Sequence, residues 1–210
     1  MNKKNKSVTL IELLVSITIV SIMILSFYGL EALSQSWVIN AERRAKVQNE
    51  LSNVLEHMSK YVQTAYGDKN HPPVVFTESG FKVQVDFKSQ QTPWDLINLA
   101  WVSYSLDNNT LSTSCAAIGS GTCGSFAAET LSKRIISGVS NTEMPNPLPS
   151  PLTAGFYVKI DPDDTGAINI IEIGLVGRYK PTEESTSVIP ITNPQIEMKT
   201  KIICNSCSTN

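Results

Sequence analysis

The sequence predicts an α+β protein in which a long N-terminal helix, transmembrane in its first half, packs on a mostly antiparallel β-sheet. The helix is predicted by an uninterrupted apolar run near the N-terminus, followed by apolar side chains at helical spacing. The sheet is predicted because apolar and polar side chains alternate from Val74 onward. With 210 residues, 41% of them hydrophobic, the chain is long enough for one domain beyond the helix.

The apolar run comprises residues 8–30 and contains one charged side chain, that of Glu12. A helix of this length rises about 35 Å, which exceeds a hydrocarbon core of about 30 Å. Three lysines precede the run, and no Lys or Arg follows it before Arg43. The positive-inside bias therefore predicts a single span of the inner membrane, with a cytoplasmic N-terminus and a periplasmic or extracellular domain.

Two simpler interpretations explain part of this segment. Ala32-Leu33-Ser34 has the small-x-small form of a secretory cleavage site, but the apolar run is longer than a signal peptide usually has. A plain single-span anchor explains the length of the run. It leaves Glu12 unexplained, because a carboxylate within a membrane is costly and by default indicates function.

The residues around this carboxylate resemble a known family. The segment Ser7-Val8-Thr9-Leu10-Ile11-Glu12-Leu13-Leu14-Val15 is similar to the class III signal of type IV pilins and type II secretion pseudopilins, in which a basic leader is cut before the apolar helix. The resemblance implies that prepilin peptidase removes the leader, residues 1–7, by cutting between Ser7 and Val8, and that the new amine of Val8 is methylated. Ser7 stands where the family usually has Gly, and Val8 where it usually has Phe.

By position, Glu12 is the fifth residue of the mature chain and matches the family's glutamate. The resemblance implies that it pairs with the first amine of a neighbouring subunit, since a buried charge needs a partner. It also implies the partners, which are other pilin or pseudopilin subunits, prepilin peptidase, and an inner-membrane assembly platform with its ATPase. The hydrophobic order of residues 102–106, 111 and 131–139 is similar to that of J-type minor pseudopilins, which favours a minor subunit.

The helix is predicted to continue beyond the membrane over residues 31–66, which contain no Pro or Gly. Gly29 is its weak point, and Gly67-Asp68 with Pro72-Pro73 are predicted to end it. The apolar stripe of this half comprises Leu33, Trp37, Ala41, Ala45, Leu51, Val54, Leu55, Met58, Tyr61, Val62 and Ala65.

Residues 74–210 are predicted to form a β-rich, pilin-like domain. Turn-forming residues at 107–109 and 161–166 favour antiparallel connections, and the proline-rich segment 144–151 favours a surface loop. Besides a strand from Val74, the candidate strands are 81–87, 99–106, 110–112, 134–139, 156–160, 168–179 and 196–204.

Four cysteines, Cys115, Cys123, Cys204 and Cys207, indicate disulfides in an exported domain. Three connectivities are open, and we favour the local pairs Cys115–Cys123 and Cys204–Cys207. A four-thiolate zinc site would require the two pairs to converge, and a redox-active Cys-x-x-Cys normally begins a helix. We therefore expect structural cross-links.

Candidates for other chemistry are few. Asp161, Asp163 and Asp164 are a weak calcium candidate, because they surround a Pro and a Gly as turn residues do and lack the spacing of an EF-hand. His57 and His71 have no nucleophile or metal partner in the sequence, so we expect solvated or capping roles. No metal and no cofactor is expected.

The composition argues against some classes of function. The net charge is -2 and the body of the chain has no Lys/Arg block, which argues against direct nucleic-acid binding. We find no catalytic constellation and expect no enzyme. The sequence predicts a structural subunit of a type II secretion pseudopilus or type IV pilus. The alternative is a single-span, membrane-anchored periplasmic binding module that does not enter a fibre.

Overall fold

The computed structural model describes residues 9–67, 72–87, 99–119, 121–141, 154–162, 168–182 and 193–204. The chain divides into two compact units, Met1–Glu42 and Arg43–Asn210, which we call the N-terminal unit and the globular unit. Helix α1 (Leu10–Gln63) has residues in both. The described part of the globular unit also contains nine strands, so the predicted α+β class is confirmed.

Helix α1 is continuous, as predicted, and it passes through Gly29 without interruption. It ends at Gln63, before the predicted Tyr66, because the chain turns there. The amide of Ala65 donates a hydrogen bond to the carbonyl of Val62 (3.1 Å), and Ala65 then forms an isolated antiparallel bridge with Val85.

The first sheet is antiparallel, and its five strands lie side by side in chain order. Asn108 supplies the left-handed conformation (φ 53°) that the tight turn between the third and fourth strands requires, as the Asp-Asn-Asn sequence predicts. The strands are β1 (Val74–Thr77), β2 (Gly80–Asp86), β3 (Leu99–Asp107), β4 (Thr110–Ala117) and β5 (Glu129–Ser132).

The second sheet has four strands, also in chain order. Its first pair is parallel and short, and the other two pairs are antiparallel. The strands are β6 (Val139–Ser140), β7 (Phe156–Pro162), β8 (Ile168–Arg178) and β9 (Gln195–Ile203).

The expectation of one sheet was wrong, and the strand predicted at 134–139 is present only at Val139, the first residue of β6. Residues 134–138 connect the two sheets, because their backbone groups bond to different partners. Ile135 bridges Gly177 and accepts a hydrogen bond from the Asn109 side chain (2.8 Å), whereas the amide of Ile136 donates to Val176 (3.0 Å). Strand β5 was missed because its four residues include a single large apolar side chain.

The main core forms between one face of α1 and the inner faces of both sheets. Helix and sheet approach closely at Gly177, where a Cβ atom would lie 3.1 Å from Leu51 and 3.2 Å from Val47. Val47 was absent from the predicted stripe, while Ala41 and Ala45 are exposed. Each large buried side chain contributes about 1.5–3 kcal/mol. The buried residues of the helix are Val47, Leu51, Val54, Leu55, Met58 and Val62.

We predict that residues 43–210 fold on their own, because every buried residue of α1 lies between Val47 and Val62 and the globular unit has its own core. The truncated chain should be monomeric and should unfold cooperatively in a thermal melt. As a control, a chain that begins at residue 30 keeps the exposed Leu33, Trp37 and Ile39 and should self-associate more strongly in analytical ultracentrifugation. Aggregation of the shorter chain without a cooperative transition would contradict the prediction.

Candidate functional site

The first turn of α1 holds the carboxylate that the sequence singled out. The amide of Glu12 donates a hydrogen bond to the Thr9 hydroxyl (3.3 Å), and Glu12 Oε2 accepts hydrogen bonds from the Thr9 amide (2.9 Å) and hydroxyl (3.0 Å). This reciprocal pattern is a capping box. Among the described residues no hydrogen bond reaches Glu12 Oε1, so one carboxylate oxygen is left for a further donor.

The N-terminal part of α1 presents apolar side chains around its whole circumference. Large apolar residues from Leu10 to Ile39 are 47–82% exposed. The helix is long and apolar enough to cross a membrane. So large an apolar surface is not stable in water, which means that lipid or other protein must surround it.

Hydroxyl groups in this segment are satisfied within the helix. The side chains of Ser16, Thr18, Ser21 and Ser26 each donate a hydrogen bond of 2.8–2.9 Å to a carbonyl three or four residues earlier. Polar groups paired in this way can lie in an apolar environment without an unsatisfied donor. The hydroxyls are therefore compatible with the membrane span.

The predicted cleavage residues, Ser7 and Val8, lie outside the described residues. Cleavage between them and methylation of Val8 stay predictions.

The predicted pairing of Cys115 with Cys123 is confirmed, because the structure joins them by a disulfide with a Cα–Cα distance of 5.9 Å. The enclosed loop folds back on β3 at Gly121, where a Cβ atom would lie 2.2 Å from the carbonyl oxygen of Leu99. Cys204 also belongs to a disulfide and is buried. Cys207 lies outside the described residues, so its pairing stays a prediction.

The weak calcium candidate is described only in part. Asp161 belongs to β7, where it pairs with Ile170, while Asp163 and Asp164 lie outside the described residues. Within the described part of the chain, three or more His, Cys, Asp or Glu side chains nowhere converge as metal ligands.

His57 was predicted to be solvated or capping, and this was wrong, because its side chain is only 24% exposed. Its Nδ1 lies 3.1 Å from the Tyr104 hydroxyl oxygen, and its Nε2 lies 3.7 Å from Glu129 Oε1. Burial lowers the pKa of His57 below its usual value; Glu129 opposes this shift and Lys60 adds to it. His71 lies outside the described residues.

A hollow that no sequence pattern predicted opens beside His57. Its volume is about 210 Å³. The half-buried rings of Tyr61, Phe87 and Phe126 line it, and Glu129, whose side chain is 57% exposed, lies beside them. We call this the aromatic hollow, lined by His57, Tyr61, Phe87, Ser125, Phe126, Ala127 and Glu129.

A second polar cluster fastens α1 to the sheets. Glu50 Oε2 accepts a hydrogen bond from Arg134 Nε (2.9 Å), and Glu50 Oε1 accepts one from the Ser132 hydroxyl (2.6 Å). Arg134 also donates to the carbonyl of Tyr179 and lies 4.7 Å above its ring. These partners of Glu50 lie at the end of β5 and at the start of the segment that links the sheets, so this cluster is structural.

Comparison with known proteins gives one finding, at the N-terminus. Residues 2–28 match the model of the prokaryotic N-terminal methylation motif. This is the signal of type IV pilins and pseudopilins, so the resemblance of the first residues is confirmed and the chain carries the signal of a type IV pilin-like or pseudopilin precursor. No curated protein and no solved structure matches the chain.

The match to the methylation motif supports some of the expectations about location and partners, and the others stay predictions. With the apolar helix it fits a membrane-anchored protein, and it indicates a structural subunit that associates with other pilin subunits and with prepilin peptidase. The similarity to J-type minor pseudopilins stays a prediction.

We predict that the Cys115–Cys123 disulfide stabilises the globular unit. Replacing both cysteines with serine should lower the free energy of unfolding by about 2–3 kcal/mol, because the unfolded chain then regains the entropy of a short loop. Urea denaturation of the variant and the parent chain measures the difference, with Cys204 and Cys207 unchanged in both. Equal stability of the two chains would show that the disulfide is not a stabilising cross-link.

Proposed function

We propose that this chain is a subunit, and more specifically a minor subunit, of a type II secretion pseudopilus or type IV pilus. The match of residues 2–28 to the methylation motif is the observation that carries the proposal. Prepilin peptidase cuts between Ser7 and Val8, and the new amine of Val8 is then methylated, so the chain is the substrate of both reactions. The N-terminus faces the cytoplasm and the globular unit faces the periplasm, in line with the positive-inside bias.

Assembly transfers the helix from lipid to protein. In the fibre, helices of neighbouring subunits cover the exposed apolar side chains between Leu10 and Ile39, and this packing supplies most of the cohesion. An inner-membrane platform and its cytoplasmic ATPase drive the transfer, as in the fibre systems that the signal resembles.

Glu12 sets the register of the subunits. Its Oε2 is held by Thr9, while Oε1 accepts the ammonium group of a neighbour's Val8. A subunit inserted out of register leaves both charges buried without partners, which is strongly unfavourable. The capping box supports this role, because it turns the carboxylate toward the end of the helix at which cleavage creates the amine.

A second candidate function is a membrane-anchored binding module that stays outside the fibre. The aromatic hollow of the globular unit is the observation that favours it, since half-buried aromatic rings beside a carboxylate are a common way of building a ligand site.

We expect the mature protein to begin at Val8. Intact-mass measurement of protein purified from membranes should show loss of residues 1–7 and gain of one methyl group. Cells that lack prepilin peptidase provide the control, and in them the chain should retain Met1. A mature chain that begins at Met1, or at Gln35 after the alternative secretory site, contradicts the proposed processing.

Replacement of Glu12 with Val should leave membrane insertion intact or improve it, because the costly charge is gone. Incorporation into fibres should fall strongly, because the neighbour's amine loses its partner. Glu31→Val is the matched control, since it removes an exposed carboxylate of the same helix outside residues 8–30 and should assemble normally. Immunoblotting of sheared fibre and membrane fractions measures both variants, and normal assembly of Glu12→Val excludes the pairing role.

A further inference from the structure

We propose that the aromatic hollow of the globular unit binds a small alkylated ammonium ion, such as a trimethylammonium group. This inference goes beyond fibre assembly and does not depend on it. It rests on the geometry of three rings, on one carboxylate, and on the charge state of the groups around them.

The three rings come from separate segments and stand as walls at steep angles to one another. The ring centroids of Tyr61 and Phe126 are 5.5 Å apart at 75°, those of Phe87 and Phe126 are 6.1 Å apart at 65°, and those of Tyr61 and Phe87 are 6.3 Å apart at 52°. Centroid separations of this size are those of rings in edge-to-face or tilted contact, so the three side chains pack on one another and line the hollow together. A cation held in the hollow lies against this aromatic lining, within reach of cation–π attraction.

Glu129 supplies the full negative charge of the site. It is the first residue of β5, and it lines the same hollow as the three rings. Alkylated ammonium suits this lining better than a primary ammonium ion, because a primary ammonium is strongly hydrated and needs several acceptors. The lining combines the three rings and one carboxylate with the side chains of His57 and Ser125, and its volume of about 210 Å³ suits a group of this size.

The ionisable neighbours leave the site open to a cation near neutral pH. Burial raises the pKa of both Tyr61 and Tyr104, so both phenols are neutral, and burial holds the pKa of His57 below its usual value. His57 therefore carries no charge near pH 7 and does not neutralise Glu129. Lys60 Nζ lies 5.8 Å from the centroid of the Tyr61 ring, and its positive charge opposes the binding of a cation nearby.

The test uses the full chain in an uncharged detergent, titrated with choline and, separately, with 3,3-dimethylbutan-1-ol, its uncharged isostere. Choline should cause saturable shifts of the backbone amide resonances of residues 57–61 and 124–129 in heteronuclear NMR spectra. The uncharged alcohol should bind at least about fivefold more weakly, since it lacks the cation–π attraction. Equal affinity of the two compounds, or shifts confined to other residues, overturns the proposal.

Variants separate the contributions of rings and charge. Phe126→Leu removes a wall but keeps apolar volume, and Glu129→Gln removes the charge but keeps the shape; each should weaken choline binding about fivefold or more. Phe126→Tyr keeps the wall and should bind as the parent chain does. Trp101→Leu, which removes a ring outside the hollow, should have no effect, whereas Lys60→Gln should raise the affinity.

The pH dependence gives an independent readout. Because the pKa of His57 is lowered, the imidazole gains its proton only in more acidic solution than an ordinary histidine does, and the resulting cation, 3.7 Å from Glu129 Oε1, repels the ligand. Choline affinity should therefore fall as the solution is acidified, and His57→Gln should abolish this fall. Unchanged binding in Phe126→Leu and Glu129→Gln, with correct folding shown by their spectra, refutes the site.

Discussion

The apolar stripe of α1 between Val47 and Val62 is the surface on which the globular unit is built. Both sheets place their inner faces against it, and the buried side chains of all three elements form one continuous cluster. The contact is closest at Gly177, where Leu51 and Val47 approach the backbone of β8. Because the helix contributes the surface that both sheets share, neither sheet has a complete core without it.

Two polar contacts fix how the helix sits on this surface. Glu50 bonds to Ser132 and Arg134 at the end of β5, while His57 Nδ1 lies within hydrogen-bond distance of the Tyr104 hydroxyl in β3. Hydrogen bonds to charged groups have directional requirements that apolar packing lacks. The edge strand β5 therefore acts as a fastening point between the helix and the first sheet, and the disulfide just before it limits the freedom of the preceding loop.

The N-terminal end of the same helix must be stable in apolar surroundings instead of packing on a sheet. There, large side chains from Leu10 onward bury nothing within the protein, and the hydroxyls and the Glu12 carboxylate find partners within the helix. A segment of this kind suits lipid and, equally, a bundle of like helices, because both are apolar and neither supplies water to satisfy polar groups. The methylation motif over residues 2–28 agrees with that dual use.

The sequence by itself determined the features that depend on local pattern. The long helix, the methylation signal and most of the strands follow from periodicity and short motifs, and all are present. The sequence favoured the Cys115–Cys123 pairing but left three connectivities open, and the structure contains that pair. Thr9 was within the quoted motif, and its spacing to Glu12 already had the form of a capping box.

Only the tertiary structure decided which residues meet across the chain. Alternation along a strand does not say how strands group, so the division into two sheets, with residues 134–138 as their link, escaped prediction. From the sequence, His57 was predicted to be a solvated or capping residue of a charged helix. The residues that it contacts, Tyr104, Phe126 and Glu129, lie far from it along the chain, so no local pattern predicted these contacts. The aromatic hollow arises where three distant segments converge, and convergence is a property of packing that no local pattern records.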